Sequence, residues 1–484
     1  MGSCVPGESV RGGYGWFIMA EDHHEHDHSA HVQTGVYLTD EIAGIGGRLR
    51  ERPEDFIVEE VPLYQPSGEG EHVYLFVQKV NMSTTQLVAL VAKHFRVREF
   101  AVGYAGLKDK KAVTRQVLSV HVPGKKLEDF PSLQHDRVQV MWADMHGNKL
   151  RRGHLLANRF AIKIRGVSFR AVIQANRVLQ TLAKLGVPNR AGEQRFGFFG
   201  NNHLVARELI KGNAKGALDE LLGPKPLEAY PAGYVDERQV ESRRLYAQGE
   251  FFKALGLMPL GATTECEALR ALSRGANPEQ AVRAINRTQR GFFISGFQSA
   301  VFNAVLERRM REGTFATLRA GDLAYKHDNG AVFSVDEAVM NDPETARRLQ
   351  ALEISPSGPN WGVKMMRSGG EIGAMELECL TRFGVTVEEL QAFAERTGEE
   401  IDGDRRALRV PLTYPDVEAG VDEHGEFVRC SFELPPGAFA TTVMSEIMKP
   451  DRVKAKSETE MKPSAGSESG GGGGVVREGQ ESGS

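Results

Sequence analysis

Cysteine is scarce and scattered in this chain: Cys4, Cys266, Cys379 and Cys430 are the four among 484 residues. None stands in a C-x-x-C pair, which argues against a zinc site or a disulfide framework and fits a reduced, cytoplasmic compartment. No run approaches the ~18–20 apolar residues that a membrane span needs. The first residues lack the basic-then-apolar layout of a secretory signal, and Pro6 stands where a myristoylation signal wants Ser or Thr. Neither a P-loop nor a G-x-G-x-x-G fingerprint occurs, so nothing points to a nucleotide cofactor. Net charge is small as well, −4, which does not suit a nonspecific nucleic-acid coating protein.

The distribution of that charge is more informative than its sum. Residues 1–40 carry six acids and one Arg. Ala92–Lys126 carries nine Lys and Arg against two acids, and Asp144–Arg165 six against one. Local basic surfaces on a near-neutral body suit a selective nucleic-acid enzyme; taken singly, each run reads equally well as a solvated face.

Residues 1–40 read as a poorly ordered leader holding the tract Glu21–His28, and residues 450–484 as a disordered tail with five consecutive glycines, Gly470–Gly474. Between them, strands are expected at Val73–Lys79, around Leu118, Val120 and Val122, at Arg137–Trp142 and at Phe160–Val167. A helix capped by Ser83 or Thr84 should run to about Phe95, and a second should end near Gly186. Residues 203–310 are mostly helical in pattern, and strand-like pieces return at Ala407–Leu412 and Phe427–Leu434. This order indicates an α+β or mixed α/β architecture with a second domain inserted into the first.

Four segments could carry chemistry. In YAGLKDKKAVTRQ, residues 104–116, one carboxylate, Asp109, sits among Lys108, Lys110, Lys111 and Arg115. An aspartate in a turn is usually structural. Cations at that density favour its ionised form, which suits a nucleophile or base. In ANRF, Asn158 and Phe160 are two apart and share one face of a strand, where an amide beside a ring can read and stack an unpaired base. A core Phe with an Asn turn is the equally good alternative. The loop NRAGEQRFG, residues 189–197, concentrates glycines, arginines and amides able to approach phosphate. The run EDFIVEE, residues 54–60, followed by Gly68–His72 and Lys79, is the least specific, and an exposed edge strand before a turn explains most of it.

Taken in order, EDFIVEE, GEGEHVYLFVQK, YAGLKDKKAVTRQ, ANRF, NRAGEQRFG, GFFISGFQSAVFNAVLERR, EISPSGPNWG and LPPGAFATTVMSEIMK resemble the TruD family of tRNA pseudouridine synthases across about Glu51 to Lys449. The resemblance implies a pseudouridine-synthase catalytic domain with a mixed sheet in residues 41–190 and 401–449. It also implies an inserted, mainly helical family-specific domain in 191–400. By the same resemblance Asp109 is catalytic. Asn158 and Phe160 bind the substrate base, with Lys79, Phe56, Lys108, Gln194 and Arg195 as further substrate-binding residues. The implied partner is tRNA, with uridine 13 as the target. No metal or other cofactor, no membrane and no obligate protein partner is implied. The segment Asn189–Gly192 departs from relatives, which often carry an aromatic before the Gly. The alternatives are a noncatalytic RNA-binding or RNA-folding factor on the same scaffold, and a glycoside hydrolase, which would need a second carboxylate near Asp109.

Overall fold

The computed structural model describes residues 35–230, 235–399, 401–450 and 452. The His-rich tract and nearly all of the tail lie outside them. Residues 37 to 39, which the sequence assigns to the leader, are packed: Glu446 accepts the Leu38 and Thr39 backbone N–H groups at 2.9 and 3.0 Å.

Fourteen strands are present among the described residues: β1 (Phe56–Pro62), β2 (His72–Val80), β3 (Val102–Tyr104), β4 (Val113–His121), β5 (Val138–His146), β6 (Leu155–Arg165), β7 (Val187–Pro188), β8 (Leu323–Lys326), β9 (Val332–Ser334), β10 (Ile354–Asn360), β11 (Asp404–Ala407), β12 (Arg409–Val410), β13 (Thr413–Asp422) and β14 (Gly425–Leu434). Eight of them form one sheet in the order β13-β14-β6-β1-β4-β2-β5, with β3 beside β4. Only β1 and β4 run parallel, so the sheet is mixed. Strands β8 to β11 make a four-stranded sheet, and β7 pairs with β12. The chain between β7 and β12 holds this small sheet and a helical cluster built around the long helix Arg287–Arg311.

Two helix layers cover one face of the large sheet. Helix α1 (Thr84–Phe95) starts at Ser83, whose hydroxyl accepts from Gln86 N while the Gln86 side chain accepts from Ser83 N. This reciprocal cap satisfies two otherwise orphaned amides. Leu87, Val91 and Phe95, at helical spacing, bury against β2, β4 and β5. Helix α2 (Val172–Leu185) packs with the last helix, Ala440–Met448, over β1, β6 and β14. It stops at Gly186, whose φ of +87° few side-chain-bearing residues tolerate. Arg165 ties the sheet together: its guanidinium holds Asp55 at 2.6 and 2.8 Å and Asp422 at 2.8 and 2.9 Å.

The expectation for EDFIVEE is corrected. Strand β1 is central, between β6 and β4. Its two acids are accommodated there because each has a cation partner: Glu59 meets Arg115 and Arg159 on the flanking strands, and Glu60 meets Lys108 from the turn before β4.

Candidate active site

The site lies on the covered face, where the apolar cluster under α2 and the last helix gives way to the one under α1. Residues opposite one another in register point to the same side of a sheet. Lys79 faces Thr114, Thr114 faces Val58, Val58 faces Phe160 and Phe160 faces Phe432, giving one row across five strands. In the adjacent row Glu60 faces Asn158. The shared face of Asn158 and Phe160 is as the two-residue spacing requires.

A gap in hydrogen bonding explains the buried acid. Strand β1 pairs with β4 as far as Arg115, and β3 joins β4 only at Leu118. The Val117 amide between them is met by Glu60 Oε1 at 3.2 Å. The other carboxylate oxygen, Oε2, forms an ion pair with Lys108 Nζ at 2.8 Å, and the two side chains are 0% and 5% exposed. Lys108 Nζ also donates to Asn158 Oδ1 at 2.9 Å. An ammonium has no acceptor, so this contact fixes which way the Asn158 amide points. Its NH2 group has no hydrogen-bond acceptor among the described residues.

The Asp109 turn is held from several sides. Thr84 Oγ1 accepts the Lys108 backbone N–H at 2.9 Å and donates to Gln116 Oε1 at 3.0 Å. Lys79 Nζ donates to the Asp109 carbonyl at 2.9 Å and to Met82 O. Arg50 Nη2 donates to Asp109 Oδ1 at 3.0 Å, and the Asp109 side chain remains 33% exposed. Arg50 has the left-handed φ of +57°. Its guanidinium lies 4.1 Å from the Phe56 ring centroid. Phe56 in turn meets Phe160 edge-on at 6.5 Å, and Phe160 packs on Phe432 at 5.5 Å. A partly exposed carboxylate thus emerges from a fixed backbone, tied through Arg50 to a buried aromatic cluster.

Several sequence expectations change here. Lys79 and Phe56 are 0% and 1% exposed, Lys79 against the Asp109 carbonyl and Phe56 under the Arg50 guanidinium. Lys108 is spent on Glu60 and Asn158. Arg115 lies on the opposite face, bonded to Gln78 and Glu59. Of the four cations around Asp109, these two are paired with the carboxylates of β1. Phe160 is largely buried, at 7% exposure. Gln194 is exposed, and Arg195 bonds Ser295 on the long helix. Among the described residues no hydrogen bond or ion pair joins either of them to the Asp109 group. Within their loop, Gly197 is required by its φ of +78° and by the Asn202 side chain, which would stand 2.5 Å from a Cβ. Gly192 meets no such constraint. At the departure from relatives, Asn189 bonds Arg406 and the Ala407 carbonyl, so polar contacts occupy that place.

Arg50 and Glu60 were not anticipated from the sequence. Glu60 had a readable signal: it shares the parity of Phe56 and Val58 and so falls on their buried face. Arg50 had none beyond its charge. The second carboxylate that a glycosidase would need does converge, as Glu60, but it is committed to Lys108 and Val117.

The family model for tRNA pseudouridine synthase D (TruD) matches residues 31–447. The chain is 40% identical over 417 residues to tRNA pseudouridine synthase D of Geobacter metallireducens, covering 86% of this chain and 98% of that one. It is 34% identical over 430 residues to the protein of that name from Thermus thermophilus, covering 88% and 95%. A crystal structure assigned to TruD from Methanosarcina mazei superposes with a TM-score of 0.74 at 26% identity, covering 86% of this chain and 96% of that one. The chain belongs to the TruD family.

Proposed function

We propose that this protein isomerises uridine to pseudouridine in tRNA, with uridine 13 as the target and Asp109 as the catalytic carboxylate. The observation that carries the reading is the Asp109 turn: a partly exposed carboxylate on a backbone fixed by Lys79 and Thr84, whose Lys108 also holds the Asn158 amide.

The target base must leave its stack before a protein group can reach the glycosidic carbon. The NH2 group of Asn158 donates to a uracil carbonyl. The exposed edge of Phe160 meets the base, while Phe56 and Phe432 hold that ring in place. Asp109 assists cleavage of the C1′–N1 bond, as a nucleophile at C1′ or as a base in a glycal route. The uracil turns, C5 bonds to C1′, the C5 proton is lost and N1 is protonated. Reactant and product are isomers, so no electron acceptor or phosphoryl donor enters the balance. Arg50 orients the Asp109 carboxylate.

The division of the chain into a catalytic domain, residues 41–190 and 401–449, and an insert at 191–400 is supported by strand order. The large sheet draws its strands from 56–165 and 413–434. Action on tRNA supports a cytoplasmic location. No described helix is long and apolar enough to cross a membrane.

The test is conversion of unmodified tRNA, mapped by carbodiimide reactivity, for the wild type and Asp109→Ala. Expected is pseudouridine at position 13 with the wild type and none with the variant, which still binds tRNA. Turnover by Asp109→Ala overturns the assignment of Asp109. Binding without turnover by the wild type leaves the RNA-binding factor as the reading.

A further inference from the structure

Most buried arginines of this protein have a carboxylate of their own. Arg165 pairs with Asp55, Arg190 with Glu307, Arg309 with Asp322 and Arg405 with Glu376. Arg409 has no acid but spends its donors on the Leu185 and Leu349 carbonyls and on Ser355. Arg243, fully buried, donates to the Leu221 and Gly223 carbonyls, lies over the Phe199 ring and has Glu265 at 3.8 Å. The half-buried Arg195 and Arg406 follow neither pattern. Arg195 Nη1 donates to Ser295 Oγ at 3.0 Å, its one side-chain hydrogen bond among the described residues. Arg406 Nη2 donates to Asn189 Oδ1 at 2.6 Å, and its guanidinium lies 5.3 Å over the Phe302 ring. Arg406 Nε is buried with no acceptor among the described residues. The acid whose charge reaches Arg406 is Asp404, and Asp404 Oδ1 is taken by the Asn360 amide.

Both guanidiniums pack on the long helix, near enough for the charge of Arg195 to act on Arg406. Ser295 and Phe302 are seven residues apart on the long helix, so they share a face about 10 Å apart along the axis. Burial pushes Arg406 down to about 10, with the charge of Arg195 pushing the same way. Burial also lowers Arg195. Two half-buried like charges with no carboxylate bonded to either among the described residues are costly unless an anion arrives between them. Planar forked donors match phosphate oxygens.

We propose that Arg195 and Arg406 form a clamp for phosphodiester oxygens of the RNA backbone, with Asn189, Ser295 and Phe302 as positioning residues. The clamp lies where the 189–197 loop, β11 and the long helix meet. It rests on the reading that RNA is the substrate, and it adds an anchoring point outside the Asp109 group.

The experiment measures tRNA affinity against salt concentration, together with KM and kcat for pseudouridine formation. It compares wild type, Arg195→Gln, Arg406→Gln, Arg406→Lys and the double Gln variant, each checked for folding by thermal melting. Each single Gln variant should weaken tRNA binding about tenfold, with the effect appearing in KM more than in kcat. The slope of log affinity against log salt should become shallower by about 0.7–0.9 for each phosphate no longer neutralised. The double variant should weaken binding by less than the product of the singles, because both act on one anion site. Arg406→Lys should keep the salt slope and part of the affinity. Folded Gln variants with wild-type affinity and slope overturn the clamp. If Arg406→Gln does not fold, wild-type affinity in both Arg195→Gln and Arg406→Lys overturns it. Wild-type turnover with unaffected variants removes the clamp and leaves the proposed function. Variant-sensitive binding without wild-type turnover removes the function and leaves the clamp.

Discussion

Replacing Glu60 by Gln should unsettle the site from beneath without touching any group that meets RNA. The Glu60–Lys108 ion pair is 2.8 Å long and almost wholly buried. At an effective dielectric of about 20, two unit charges at that distance attract by about 6 kcal/mol, much of it offset by the cost of removing both from water. Taking away one partner leaves Lys108 buried with no counter-charge, which costs about 3–5 kcal/mol. The Gln side chain adds a conflict: its oxygen can accept from Val117 N or face Lys108 Nζ, and its NH2 then opposes the other donor. Lys108→Met should cost about the same, because it strands the Glu60 charge. The double variant Glu60→Gln/Lys108→Met removes both charges and lets the Gln oxygen accept from Val117. It should be more stable than the sum of the single effects by at least about 2 kcal/mol. Urea denaturation of the four proteins gives the cycle. Single variants within about 1 kcal/mol of wild type, or strictly additive effects, would refute the buried-pair argument. Lys108→Met also releases Asn158 Oδ1, so kcat should fall more than KM rises.

Three further outcomes are expected. Phe160→Ala should lower stability by about 3–5 kcal/mol by opening a cavity in the core, more than the ~1–3 kcal/mol of base stacking; thermal melting beside turnover checks this, and an unchanged melting temperature would contradict the burial. Arg50→Met should change stability by less than about 1 kcal/mol, since its ion pair with Asp109 is partly exposed, yet lower kcat; wild-type kcat removes its orienting role. Burial pushes Glu193 up to about 7, so the fold loses stability as pH rises from the unfolded carboxyl value of about 4.3 toward 7. Glu193→Gln should abolish that dependence, and denaturation at pH 5 and pH 8 would show it as a larger gain at pH 8.

Local signals in this chain proved readable where one element settles the outcome. The Ser83 cap needs only Gln86 three residues on. The turn of the chain after α2 needs only Gly186. The common face of Asn158 and Phe160 needs only strand alternation. The misleading signal was charge density. Lys108, Lys110, Lys111 and Arg115 are close in sequence, but alternation along β4 sends Arg115 to the opposite face from Thr114 and Gln116, and Lys108 turns inward to Glu60. A count of cations along a segment therefore says little about the field at one atom until each residue is assigned a face. The same parity argument, applied to β1, singles out Glu60 as an acid on an apolar face, and a buried acid demands a cation. Arg50, Glu60 and Arg406 meet their partners only through tertiary packing, across separations that no local pattern encodes. What identifies them is unmet or specially met bonding: an amide in a gap of the sheet, a carboxylate held from beneath, and a buried guanidinium nitrogen whose acceptor none of the described residues supplies.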